Sequence, residues 1–121
     1  MSACHVIVRV LPVRIVSEAN VREHWRKVAQ RKQSHRRTAL LMLRATPCPC
    51  SDEQITITLT RIAPRTLDDD NLASGLAGCQ DGVSQWLGVV GVNNRTRWIY
   101  RQRRGQVGEY AVEIVVQWEP A

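Results

Sequence analysis

Residues 54–61 read Gln-Ile-Thr-Ile-Thr-Leu-Thr-Arg, alternating apolar and polar side chains without a break. In an extended chain Ile55, Ile57 and Leu59 fall on one side and Thr56, Thr58 and Thr60 on the other, and all six favour a pleated surface. The segment is therefore a strand, and the rest of the chain must supply a sheet around it. Residues 6–10 repeat the pattern briefly, with Val6, Val8 and Val10 opposite Ile7 and Arg9, until Leu11 and Pro12 end it. Residues 96–102 and 109–118 are predicted as two further strands, joined as a hairpin through Gly105 and Gly108.

Two helices are predicted between these strands. Asn20 followed by Glu23 resembles a capping box, and Val21, Trp25, Val28, Ala39 and Leu43 recur at near-helical spacing as far as about Arg44. Pro47 stops that helix. A second helix follows Asp68, Asp69 and Asp70, with Leu72, Leu76, Cys79 or Gln80, Val83, Trp86 and Leu87 as its apolar stripe. Gly75, Gly78 and Gly82 weaken it, each by up to ~1 kcal/mol relative to Ala. The order is β-α-β-α-β-β. It predicts an α+β single domain over residues 1–121, a mixed sheet of about four strands with two helices packed on it.

Charge narrows the function. Seventeen basic residues face eleven acidic ones, a net charge of +6, and fifteen of the seventeen are Arg. The Arg fork pairs bidentately with phosphate, a geometry that Lys cannot match. Arg22, Arg26, Lys27, Arg31, Lys32, Arg36 and Arg37 crowd one segment opposed only by Glu23, and Arg95, Arg97, Arg101, Arg103 and Arg104 form a second cluster without an acid. The expected partner is a nucleic-acid backbone, with Lys27, Arg31, Lys32, Arg36, Arg37, Arg95, Arg97, Arg101, Arg103 and Arg104 as its contacts; the bland reading of the first cluster is a solvated helix face. No stretch approaches the ~20 apolar residues of a membrane span, and no basic segment precedes Val6, so the expected location is cytoplasmic. In that setting Cys4, Cys48, Cys50 and Cys79 read as free thiols. Cys48 and Cys50, with Cys4 or His5, form the weaker alternative of a zinc site, since no second cysteine pair exists.

The candidate for chemistry is Asp68-Asp69-Asp70. If the run is extended, Asp68 and Asp70 face one side and Asp69 the other. Two convergent carboxylates are what Mg²⁺ takes from a protein, with water and phosphate oxygens completing its shell. The same residues suit a helix N-terminus, whose dipole favours negative charge, so a simple cap is the competing reading.

Leu67-Asp68-Asp69-Asp70-Asn71-Leu72, followed by Asp81-Gly82 and Trp86-Leu87-Gly88-Val89, resembles the RusA family of Holliday-junction resolvases and its phage-borne relatives. Ser17-Glu18-Ala19-Asn20, Thr96-Arg97-Trp98 and Arg101-Gln102-Arg103-Arg104-Gly105 extend the likeness across most of the chain. The resemblance implies a Mg²⁺- or Mn²⁺-dependent homodimeric endonuclease that nicks four-way DNA junctions in recombination and repair. It assigns Asp68 and Asp70 as catalytic metal ligands, with Asn71 holding the turn.

Two positions depart from the family. Its further aspartate falls on Val89-Val90-Gly91, which holds no carboxylate, and Asn93 and Asn94 nearby are neutral; its helical lysine falls on Ser74. On a continuous helix Asp81 would lie about 16 Å along the axis from Asp70, beyond the reach of one ion. Glu109 and Glu113 lie on the predicted last strand, and only the fold decides their distance from the cluster. Three readings stand: a nuclease, a branched-DNA-binding protein that does not cut efficiently, and a small interaction domain without nucleic acid.

Overall fold

Strand β2 spans Gln54–Ala63 and is one of the two inner strands of the sheet. The computed structural model describes residues 5–15, 25–49, 54–88 and 96–119. β1 (His5–Leu11), β3 (Thr96–Arg104) and β4 (Ala111–Glu119) complete a four-stranded mixed sheet in the order β1-β4-β2-β3. β4 runs antiparallel to both β1 and β2, whereas β2 and β3 are parallel. The fold is α+β, as the alternation of elements predicts.

The predicted hairpin between the last two strands is not formed. β3 pairs with β2, and the chain crosses the end of β2 through residues 105–110 to place β4 on the far side. Gly105 donates to Ala63 O at 2.8 Å, fastening this crossing to β2. Parallel strands need a long connection between them, and the helical segment after β2 provides it.

That helical segment is two helices. α2 (Asp69–Gly75) and α3 (Ala77–Leu87) meet at Leu76, and α3 ends at Gly88, whose φ of 75° suits the left-handed C-cap. α1 spans Trp25–Leu43; the Asn20–Glu23 capping box lies outside the described residues. Gly78 and Gly82 have a role that composition does not reveal. A Cβ on Gly78 would lie 2.7 Å from Lys32 O, and one on Gly82 would lie 2.5 Å from Arg36 O. One helical turn separates the contacts on each helix, so α1 and α3 run side by side in the same direction, backbone against backbone.

Among the described residues, the helices cover one face of the sheet. Ile7, Val116, Ile57 and Trp98 form one cross-strand row toward the helices, and Ile114, Leu59 and Tyr100 belong to the next. Ala39 and Leu43 of α1, Leu72 of α2, Leu76, and Cys79 and Val83 of α3 close over these rows to form the core. Trp86, Trp98 and Trp118 pack against it, whereas Trp25 is exposed. On the opposite face lie Thr56, Thr58 and Thr60 with Arg97, Ile99 and Arg101, and Val6, Val8 and Val10 at the other edge, each valine about half exposed.

Candidate functional site

Arg61 follows Ile55, Ile57 and Leu59 on the helix-facing row of β2, one position before Ala63 closes it, and its register partner on β3 is Gln102. Both side chains turn to the loop of residues 64–67 that leads to the acidic run. Arg61 is 6% exposed; its Nε donates to Ile15 O at 3.2 Å and its Nη1 to Arg65 O. Gln102 grips both main-chain groups of Leu67: its Oε1 accepts from Leu67 N at 2.9 Å, and its Nε2 donates to Leu67 O. Burial pushes the Arg61 pKa below its ordinary value; Tyr110 opposes that shift, and the like charge of Arg14 adds to it. Sequence reading singled out neither Arg61 nor Gln102 as a positioning residue. The available signal was a charged residue on an otherwise apolar strand face.

The loop delivers Asp68 to the N-terminus of α2. Asp68 is the N-cap, extended at φ −70° and ψ 166°, and its Oδ1 accepts from the main-chain N–H of Asn71 at 3.0 Å. Asp69 and Asp70 already belong to the first helical turn, and all three carboxylates are exposed. This corrects the expected geometry: extended backbone stops at Asp68, so two-residue alternation does not set the relative directions of Asp68 and Asp70, and Asp69 is not excluded on that ground. The capping role is real, and it occupies one oxygen of Asp68. Asn71 contributes its main-chain N–H to the turn.

Among the described acids, Glu109 and Glu113 are placed away from the cluster. Glu113 pairs in register with Val10 and Thr60, on the sheet face opposite the helices. Glu109 Oε1 accepts from Gln106 N at 2.9 Å and closes its own loop. The break at Leu76 removes the continuous helix on which the Asp81 distance rested; Asp81 is exposed on α3. Val89, Val90, Gly91, Asn93 and Asn94 lie outside the described residues. Among the described residues, no three His, Cys, Asp or Glu side chains are grouped so as to hold a metal ion. Cys48 is an exposed free thiol and His5 stacks on Trp118 at 5.3 Å, while Cys4 and Cys50 lie outside the described residues.

The two basic clusters occupy different layers. Arg97, Arg101 and Arg103 share the open sheet face, whereas Arg104 donates from Nε to Pro64 O at 3.3 Å. Lys27, Lys32 and Arg37 are exposed on α1 and Arg31 is half-buried there, in the helical layer. Arg36 is held by Gln85 of α3 and by Gln33. Arg95 lies outside the described residues. The parallel course of α1 and α3 puts the N-terminal half of α1 toward α2 and the acidic turn. At the same end of the sheet, Arg14 stands over the Tyr110 ring at 4.2 Å, beside Arg61 and Arg65.

No protein-family model matches the chain, and no curated protein matches it. Among the described residues no helix is long and apolar enough to cross a membrane.

Proposed function

We propose that the protein is a branched-DNA-binding protein of the RusA resolvase type, a Mg²⁺- or Mn²⁺-dependent endonuclease acting on four-way junctions as a homodimer in the cytoplasm. The observation that carries this reading is the setting of the acidic turn. Asp68, Asp69 and Asp70 are solvent-facing, anchored through residues 64–67 by Arg61 and Gln102, with Arg14, Arg65 and Arg104 at the same end of the sheet. Carboxylates supply what a hard cation takes, and arginines supply what a phosphate takes. Asp68 and Asp70 would hold the cation through oxygens not used by the cap, and the ion would orient water and stabilise charge on the phosphate.

A second reading is binding without efficient cutting, favoured by the commitment of Asp68 Oδ1 to Asn71 and by the neutral residues at 89–91. A loosely positioned ion can cost about a hundredfold in rate. Incubating the chain with a labelled four-way junction in Mg²⁺ or Mn²⁺ separates the two. Slow nicking supports the nuclease, salt-dependent binding without nicking supports the second reading, and absence of both leaves an interaction domain.

A further inference from the structure

Arg14, Arg61 and Arg65, with Tyr110, Thr66 and Leu67, line a cleft of about 330 Å³ beside the acidic turn. Arg61 is the informative member. It is more than nine-tenths buried, and its described hydrogen bonds use Nε and Nη1 on main-chain carbonyls, leaving Nη2 without a hydrogen bond among the described residues. Arg14 is stacked on Tyr110, and both Arg14 and Arg65 are exposed at the rim. Among the described residues, no carboxylate lies within ion-pair distance of any of the three. A buried charge is ordinarily paired, and three guanidinium groups around one concavity give it a field that favours an anion. The carbonyls of Ile15 and Arg65 fix the Arg61 guanidinium in place, so little freedom is lost when a ligand binds.

We propose that this cleft is an oxyanion pocket that takes a tetrahedral phosphate group, held by Arg61 at its floor and by Arg14 and Arg65 at its rim. The planar guanidinium fork matches phosphate oxygens, and Tyr110 keeps Arg14 facing the opening. Leu67 lines the pocket and Asp68 follows it in the chain, so a seated phosphate lies next to the acidic turn. Only the source of the phosphate, a DNA backbone rather than a free phosphate or phosphomonoester, rests on the proposed function.

The test titrates the full chain with inorganic phosphate at constant ionic strength, following the arginine Nε–H resonances, with chloride as the control salt. The Arg61 resonance is expected to shift saturably. Arg14→Ala combined with Arg65→Ala, both at exposed positions, is expected to weaken binding about tenfold or more through the loss of charge-assisted bonds. Arg44→Ala, an exposed change outside the cleft, is expected to leave binding unchanged. Shifts equal to those in chloride, or an unaltered affinity in the double variant, would overturn the pocket. Arg61→Lys keeps the charge but not the fork and is expected to bind more weakly; if it does not fold, the rim variants decide alone.

A parallel titration with a four-way junction identifies the source. Weakened junction binding in the double variant, with competition by inorganic phosphate, assigns a backbone phosphate. Junction binding unchanged while phosphate binding is lost assigns a free phosphate or phosphomonoester. Saturable phosphate binding by a chain that never binds the junction defeats the proposed function but supports the pocket.

Discussion

Gln102 lies directly across from Arg61 in the parallel β2–β3 ladder, and both side chains end on one loop, Gln102 on Leu67 and Arg61 on Arg65. A strand pair thus fixes the residues that precede the acidic turn. Gln102→Ala leaves the Leu67 N–H and C=O without their side-chain partner. At about 0.5–1.5 kcal/mol for each hydrogen bond, the expected loss is about 1–3 kcal/mol, toward the lower end because Leu67 is only half-buried. Denaturant unfolding measures it; a stability equal to that of the natural chain would show that the grip holds nothing.

Gly82→Ala is expected to destabilise although it raises helix propensity. The new Cβ would stand 2.5 Å from Arg36 O and 2.7 Å from Ala39 Cβ, so α1 and α3 must move apart. Overpacking of this kind costs about 1–3 kcal/mol, against a propensity gain of about 1 kcal/mol. Thermal melts of Gly82→Ala and Gly78→Ala check this, and a stabilised protein would contradict the close helix crossing.

Cys79 is fully buried, and burial pushes its thiol up to about 12. Its folded pKa lies above the unfolded value of 9.0, so the associated stability is present below pH 9 and is lost as the pH rises toward 12. Within that window the slope from this group approaches about 1.4 kcal/mol per pH unit. Cys79→Ala is expected to show a shallower alkaline decline than the natural chain. Identical slopes would contradict the assignment. With the fold intact, a thiol reagent is expected to modify exposed Cys48 well before Cys79.

Salt dependence separates the two basic layers in DNA binding. Each phosphate neutralised contributes about −0.9 to the slope of log K against log salt. If the β3 end contacts DNA, Arg101→Ala, Arg103→Ala and Arg104→Ala together flatten the slope by about 2–3. If α1 makes the contact, replacing Lys27, Arg31 and Lys32 does so. Because these groups lie in different layers of the fold, an equal effect from both requires DNA to wrap around the end of the sheet.

The strands were legible where the signal was local. The Ile-Thr alternation marks β2 and the Val-Ile-Val-Arg-Val run marks β1, because side chains two apart share a face whatever their neighbours. Strand order was not legible in the same way. Gly105 and Gly108 suit a hairpin as well as they suit a crossing over β2, and only packing decides between them. Gly78 and Gly82 looked like defects in a helix until the backbone of α1 appeared against them. At the site, the acidic run and its position before a helix were readable, whereas the partners of Arg61 and Gln102 lie 46, 35 and 4 residues away in sequence. The longer of those separations have no periodicity to read.

The most direct test is single-turnover nicking of a labelled four-way junction in Mn²⁺, comparing the natural chain with Asp70→Asn. The expected result is slow, metal-dependent nicking that falls by about a hundredfold or more in the variant, in line with loss of metal positioning, while junction affinity stays within about twofold because phosphate contacts set it. Nicking that persists at the natural rate in Asp70→Asn, or that proceeds equally well in a chelator, would contradict the account.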